Sequence, residues 1–180
     1  LGSDHALVGL WGNGDSRIDV LDTGYDGGTN VLVVNGPASD DTFLLRTRLI
    51  ALLSAEVDGL FTAAELVTYT DGINGSVVLN GNDGDDTFAL DDTATVLTVN
   101  GGSGNDAFRV GQLYTDYVAD LEFGIPAAEF FDSSRGQLTN GISFPATLNG
   151  GTGDDTFEVF RNRAALQLNG DAGDDTFIIR

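Results

Sequence analysis

The chain has 180 residues, and 28 acidic against 8 basic residues give it a net charge of −20 at pH 7. This acidity excludes nucleic acids and anionic membranes as partners, and a hydrophobic share of 41% excludes a disordered chain. Of the acidic residues, 23 are Asp, which favours tight turns and metal-binding loops over helices. No apolar run is long enough to span a membrane, so membrane insertion is not expected.

The first 34 residues contain a predicted strand at 7–10, followed by a weakened turn motif from Gly12 to Ile18. In that motif Ile18 takes the place that Phe has in the copies described next. We interpret Trp11 as a cap over the open end of the core, and His5 as a surface residue.

A nine-residue segment then recurs five times. Each copy begins with Asn-Gly, is rich in Gly and Asp, and ends with Asp-x-Phe; the copies are 35–43, 80–88, 100–108, 149–157 and 169–177. Apolar residues alternate with polar ones before and after every copy, which is the period of a strand with one buried face. The pattern predicts strand–loop–strand units whose Phe residues form one interior column and whose loops line one edge.

The spacing of the copies predicts further units. Successive copies start 45, 20, 49 and 20 residues apart, so each long gap is about twice a short one and is expected to hide a coil that lacks a loop. Ala-Ala-Glu segments at 63–65 and 127–129 are interpreted as single helical turns on the outside. A higher-order repeat of 69 residues relates 80–148 to 149–180 onward, and 35–79 resembles 100–148.

The loops resemble the G-G-x-G-x-D-x-U-x nonapeptide of the RTX family, in which U is a large apolar residue. Gly101, Gly102, Gly104, Asp106 and Phe108 fill every fixed position, and the copies at 80, 149 and 169 keep the first and fourth glycine, the Asp and the Phe. The resemblance implies an all-β, right-handed parallel β-solenoid with Ca²⁺ held between the Gly/Asp loops along one edge, and the spacing of the copies predicts roughly eight stacked coils. We expect residues 1–180 to form one such domain, a piece of a longer repeat protein.

In that family the ion lies between loops of successive coils, held by loop carbonyls and the sixth-position Asp. Carried over here, loop 80 pairs with loop 100 and loop 149 with loop 169, whereas loop 35 faces a hidden coil. The predicted metal-site residues are Gly81, Asp83, Gly84, Asp85, Asp86, Gly101, Gly102, Gly104, Asn105, Asp106, Gly150, Gly151, Gly153, Asp154, Asp155, Gly170, Asp171, Gly173, Asp174 and Asp175. The competing interpretation is that Asn, Gly and Asp simply suit tight turns without metal.

Three functions follow from these patterns. The first is a non-catalytic, calcium-stabilised module of a secreted or surface protein of bacteria, such as an adhesin, a surface-layer protein or a fibre, able to assemble end to end. The second is a β-helical enzyme acting on polysaccharides, for which Tyr114, Asp116, Tyr117 and Asp120 are the only candidate cluster. The third is a carbohydrate-binding module.

Arg46, Arg48, Arg161 and Arg163 are expected on the opposite edge from the loops, in exposed ion pairs or as a patch for acidic glycans.

Overall fold

A computed structural model describes residues 2–22, 27–58, 60–113 and 130–180, and these residues contain strands but no helix. The strands are β1 (His5–Gly9), β2 (Ser16–Val20), β3 (Val31–Asn35), β4 (Thr42–Arg46), β5 (Leu49–Val57), β6 (Leu60–Tyr69), β7 (Ser76–Asp83), β8 (Thr87–Leu90), β9 (Val96–Ser103), β10 (Ala107–Val110), β11 (Phe130–Ser133), β12 (Gly136–Thr139), β13 (Ala146–Thr152), β14 (Thr156–Val159), β15 (Leu166–Ala172) and β16 (Thr176–Ile179). The expectation of an all-β protein is confirmed.

The strands form two large sheets that are mostly parallel. The first sheet has the order β1-β3-β7-β9-β13-β15, and the second has the order β16-β14-β10-β8-β4-β5-β6-β2. The strand before each repeated loop belongs to the first sheet and the strand after it to the second. Five strand–loop–strand units therefore lie side by side in one register, with Asn35, Asn80, Asn100, Asn149 and Asn169 aligned.

The predicted column of Phe residues is present. Phe43, Phe88, Phe108 and Phe157 are fully buried, and each ring stacks on the next, with centroids 4.6 to 5.3 Å apart, down to Phe177. Alternate Leu and Val residues of both sheets complete this core. Packing of identical rings at one strand spacing favours the parallel register over any slipped one.

The prediction of a hidden coil in the gap between the copies at 35 and 80 was wrong. Instead, β5 pairs antiparallel with β4 and with β6, and this hairpin lies between β4 and β2 in the second sheet. Ala63, Ala64 and Glu65 belong to β6 and not to a helical turn. In the second gap, β11 and β12 are also antiparallel, and the segment 127–129 lies outside the described residues. Six units, counting β1–β2, replace the expected eight coils within the described chain.

Candidate metal centre along the loop column

The five repeated loops lie next to one another and are here called the loop column: residues 36–41, 81–86, 101–106, 150–155 and 170–175. Sequence spacing predicted the contacts 80 with 100 and 149 with 169, and the structure contains both. Two further contacts were not predicted: loop 35 lies directly on loop 80, and loop 100 lies directly on loop 149. Where the structure describes them, the long gaps contain the antiparallel pairs β5–β6 and β11–β12, and they do not interrupt the column.

The conformation of each loop explains its second and fourth residues. Both have positive φ in every loop except 36–41, as at Gly102 (+122°) and Gly104 (+129°). The second position tolerates Asn82 and Asp171 at φ 84° and 68°, because Asn and Asp enter the left-handed region more easily than other residues with side chains. At the fourth position, a Cβ on Gly104 would lie only 2.2 Å from the carbonyl oxygen of Gly84. Glycine is required there by the close approach of the neighbouring loop.

The first glycine of four of the five loops makes room for a carboxylate. A Cβ on Gly101 would lie 2.0 Å from Oδ2 of Asp106, and the same conflict occurs between Gly81 and Asp86, Gly150 and Asp155, and Gly170 and Asp175. The sequence suggested that this glycine turns a carbonyl toward the metal. The structure gives it a second purpose, because the Asp side chain folds back over the loop and fills the space that a Cβ would take.

These four residues, Asp86, Asp106, Asp155 and Asp175, together with Asp41 at the same position of loop 35, are called the inner aspartates. Asp86, Asp106 and Asp155 are each 1% exposed. Their Oδ1 atoms accept the backbone N–H of the inner aspartate in the preceding loop, at 2.9 Å from Asp41 to Asp86, 2.9 Å from Asp86 to Asp106 and 2.8 Å from Asp106 to Asp155. Asp155 donates in the same way to Asp175 at 3.0 Å.

A second ladder runs along the solvent side in the opposite direction. It contains Asp40, Asp85, Asn105, Asp154 and Asp174, here called the outer ladder, and each backbone N–H donates to Oδ1 of the preceding member at 2.7 to 2.9 Å. The predicted ligands Asp85, Asn105, Asp154 and Asp174 belong to this exposed row, and Asp83 and Asp171 are exposed as well. Six of the predicted ligands therefore face solvent and not the inner aspartates.

Sequence reasoning missed a third ladder, made by the Asn that precedes each loop. Each Nδ2 donates to Oδ1 of the Asn in the preceding unit at 2.6 to 2.7 Å, from Asn169 through Asn149, Asn100 and Asn80 to Asn35. The signal was visible in the sequence, since Asn stands at this one position in all five copies. The side-chain amides fix the register of the units independently of any metal.

Four of the five inner aspartates leave one buried oxygen without a hydrogen-bond donor. Oδ2 of Asp41, Asp86, Asp106 and Asp155 is buried and unpaired. Near the first glycine, a carbonyl oxygen of the next loop approaches the same place: a Cβ on Gly81 would lie 2.0 Å from Asp86 Oδ2 and 2.6 Å from the Gly101 carbonyl oxygen. The pairs Asp106 with Gly150 and Asp155 with Gly170 repeat this arrangement. Two negatively polarised oxygens thus converge in each of three successive loops.

Burial changes the acidity of these groups. It raises the pKa of Asp86 to about 8 and the pKa of Asp106 to about 6. The backbone N–H that each carboxylate accepts lowers its pKa, whereas the neighbouring aspartates raise it further. Burial also raises the pKa of Asp41 and of Asp155. A buried carboxylate in this position is stabilised by a proton or a cation that neutralises its charge.

Only oxygen donors converge here, and carboxylate with carbonyl oxygen is the set that Ca²⁺ takes. Within the described ranges no group of three or more His, Cys, Asp or Glu side chains forms a metal cluster. A cation in the loop column would therefore take one carboxylate from an inner aspartate and rely on backbone carbonyls for further ligands. The residues fit Ca²⁺ in donor type.

The opposite edge differs from its prediction. Arg46 and Asp91 form a buried pair, with Nε to Oδ2 at 2.9 Å and side chains 5% and 0% exposed. The expectation of an exposed pair was wrong for Arg46, and a buried guanidinium cannot serve a glycan patch. Trp11 is 78% exposed and does not cap the core, so that interpretation was also wrong. The cluster of Tyr114, Asp116, Tyr117 and Asp120 lies outside the described residues.

Comparison with known proteins gives no relative. No protein family matches the chain, and neither the curated proteins nor the solved structures contain a match. Across the described ranges, nothing helical is both long and apolar enough to pass through a bilayer.

Proposed function

We propose that the chain is a non-catalytic structural repeat module, a right-handed parallel β-solenoid whose loop column binds Ca²⁺ between adjacent loops. The observation that carries this proposal is the unpaired Oδ2 of Asp86, Asp106 and Asp155, each beside a carbonyl oxygen of the next loop. Three equivalent sites of this kind are supported, between loops 80 and 100, 100 and 149, and 149 and 169.

The inner aspartates and the outer ladder explain why a cation matters for folding. Inner and outer aspartates repeat at the strand spacing of about 4.8 Å, so ionised carboxylates in neighbouring loops repel one another along the column. Hydrogen bonds from backbone N–H groups satisfy one oxygen of each carboxylate, but they leave the net negative charge. Calcium would supply the missing positive charge, so its binding free energy would add to the free energy of folding.

The same argument supports an environment rich in Ca²⁺. A chain of net charge −20 without Lys or Cys gains little stability where calcium is scarce and much where it is plentiful. Together with the likeness of the loops to the RTX nonapeptide, this supports a secreted or cell-surface protein of bacterial type, such as an adhesin, a surface-layer protein or an extracellular fibre. The core positions of the Phe residues favour a scaffold, since the stacked rings are buried and unable to present a binding platform.

The test is a thermal melt followed by far-UV circular dichroism in EDTA, in excess Ca²⁺ and in excess Mg²⁺. We expect the melting temperature to rise with Ca²⁺ and much less with Mg²⁺, because Mg²⁺ demands a near-octahedral shell and dehydrates reluctantly. A melt that is identical in the three solutions would show that the loops are turns without metal, and the proposal would be abandoned.

A further inference from the structure

The third ladder, here called the Asn ladder, is built from residues with a chemical weakness. Eight of the 12 asparagines in the chain precede a glycine, and five of these Asn-Gly pairs begin the repeated loops. At such a pair the backbone nitrogen of Gly attacks Cγ of the Asn side chain more readily than elsewhere, because glycine has no Cβ to obstruct the approach. Every repeated loop therefore has a reactive dipeptide at the position that fixes its register.

The reaction needs only water as a second reactant. A bond forms between the Gly nitrogen and the Asn Cγ, the Cγ–Nδ2 bond breaks, and ammonia leaves with the proton that the Gly nitrogen loses. The product is a five-membered succinimide ring. Water then opens the ring at either carbonyl and leaves Asp or isoaspartate, in which the main chain passes through the former side chain.

The folded stack holds three of these asparagines in a position that opposes the reaction. Asn80, Asn100 and Asn149 each donate Nδ2 to one neighbour and accept at Oδ1 from the other, at 2.6 to 2.7 Å. These bonds direct the side chain from strand to strand, whereas attack requires it to fold along its own chain toward the next residue. The glycine that follows each of them is buried inside β7, β9 or β13, at Gly81, Gly101 and Gly150.

We propose that Asn80, Asn100 and Asn149 are sites of succinimide formation that react only when the units separate. In the unfolded chain the side chain rotates freely and the glycine nitrogen is accessible to water and base. In the folded protein the ladder must open first, so the rate is reduced in proportion to the population of the open form. The three residues thus record how long a copy of the chain has been unfolded.

The product no longer fits the ladder. At position 100, an Asp carboxylate has no N–H to donate to Oδ1 of Asn80, so two oxygens meet where a hydrogen bond of 2.7 Å now lies. An isoaspartate also lengthens the main chain by one carbon, which disturbs the register that the buried Phe column requires. A copy that reacts while it is unfolded therefore loses the ability to fold, and the loss is covalent.

The first test compares the folded and the unfolded chain. Both samples are incubated in heavy-oxygen water at neutral pH with the same calcium concentration, and one of them contains guanidinium chloride. Circular dichroism verifies the folded sample, and peptide mapping by mass spectrometry measures the heavy-oxygen label at each asparagine. We expect Asn80, Asn100 and Asn149 to acquire label at least about ten-fold more slowly in the folded sample, which corresponds to about 1.4 kcal/mol of opening free energy.

Asn13 is the internal reference in the same digest. It also precedes a glycine, but it is exposed, and nothing lies within 4 Å of the Cβ position of Gly14. We expect its rate to differ much less between the two samples than the rates in the Asn ladder. Because calcium is equal in both samples, the comparison measures folding alone and stands whether or not the loops bind metal.

The second test measures what the product does to folding. Asn100→Asp installs that product directly, and we expect it to lower the equilibrium constant for folding at least about ten-fold, or about 1.4 kcal/mol, in a denaturant titration. Asn105→Asp is the matched control, because it adds the same charge in the outer ladder, where Asp occupies the equivalent place in the other loops. It should change the constant by less than about three-fold, as exposed substitutions do.

Three results would overturn the proposal. Equal labelling of the ladder asparagines in the folded and unfolded samples, or no labelling in either, would show that stacking does not control the reaction. The same protection at Asn13 as at Asn100 would assign the effect to folding in general and not to the Asn ladder. Equal stability of Asn100→Asp and Asn105→Asp would show that the stack tolerates the product.

Discussion

Oδ1 of Asp155 accepts the backbone N–H of Asp106 at 2.8 Å, although 49 residues separate the two. The neighbouring contact between Asp86 and Asp106 spans only 20 residues and has nearly the same length, 2.9 Å. The loop column is therefore continuous in space where the sequence is not, and loop 100 is an interior member with a loop on each side. A substitution at Asp106 is therefore the best way to decide whether the loops are metal sites or turns without metal.

Asp106→Asn should weaken the response to calcium and stabilise the metal-free protein. Asn keeps the oxygen that accepts the Asp86 N–H and places an N–H₂ group where Oδ2 meets the Gly150 carbonyl oxygen, so the converging oxygens gain a donor. A new hydrogen bond of this kind contributes about 1 kcal/mol, or about 2–4 °C in Tm for a chain of this size. The measurement is Tm in EDTA and in Ca²⁺.

Asp154→Asn is the control for that variant. It removes the same charge but lies in the outer ladder, where Asn105 already occupies the equivalent place in loop 100. We expect it to keep most of the calcium response. Equal loss of response in the two variants would mean that overall charge, and not the inner aspartate, governs the effect of calcium.

Gly101→Ala should destabilise the fold strongly. The new Cβ would lie 2.0 Å from Asp106 Oδ2 and 2.7 Å from the Gly150 carbonyl oxygen, so the loop or the carboxylate must move. We expect a loss of about 2–4 kcal/mol, the range of overpacking at a buried site, measured by urea unfolding.

Gly14→Ala is the matched change, because nothing lies within 4 Å of its Cβ position, and it should alter stability by less than about 0.5 kcal/mol. Adding Asp106→Ala to Gly101→Ala should recover part of the loss, because the carboxylate is then gone. If Gly101→Ala were as harmless as Gly14→Ala, the inward position of the Asp106 carboxylate would be incorrect.

In EDTA, the protein should become more stable as the pH falls from 8 toward 5. Burial holds the pKa of Asp86 at about 8 and that of Asp106 at about 6, against 3.8 for an ordinary Asp. Between these values the folded state binds protons that the unfolded state does not, so lower pH favours folding. Stability from this source is fully present below the unfolded pKa and is lost as the pH rises through the folded pKa.

The measurement is Tm in EDTA at pH 8, 6.5 and 5. Asp86→Asn should flatten the rise, because its side chain does not titrate. A Tm that falls as the pH is lowered from 8 to 5 in the native sequence would contradict buried, proton-binding inner aspartates. Excess Ca²⁺ should reverse the trend, because protons and cations compete for the same oxygen atoms.

The period-two pattern was sufficient to predict the strands and the Phe column, because burial of one face leaves a clear signature around Phe43, Phe88 and Phe108. It was not sufficient for the hairpin of β5 and β6. The run from Leu49 to Leu53 is buried on both faces, so it has no alternation, and a continuous apolar strand does not reveal the direction of its neighbour. The turn before it was also hidden, because Arg48 and not Gly or Asn takes the positive φ of 58°.

The candidate site was predictable in its position but not in its geometry. The fixed spacing of Gly101, Gly104 and Asp106 located the loops along one edge. It did not indicate that Asp106 turns inward while Asn105 faces solvent, since adjacent polar residues in a loop have no period that assigns a face. The burial of Arg46 with Asp91 was missed because β4 is buried without alternation from Phe43 to Arg46.

Because the loop column is continuous, the number of stacked units does not depend on the segments that connect them. The segment 111–145 separates β10 from β13 in the sequence, yet β10 and β14 are hydrogen-bonded neighbours. A connecting segment can therefore lengthen, shorten or exchange its contents while the spacing of the units stays the same. Such a junction is a natural attachment point for a guest peptide, and the number of units alone then determines how far apart two guests are held.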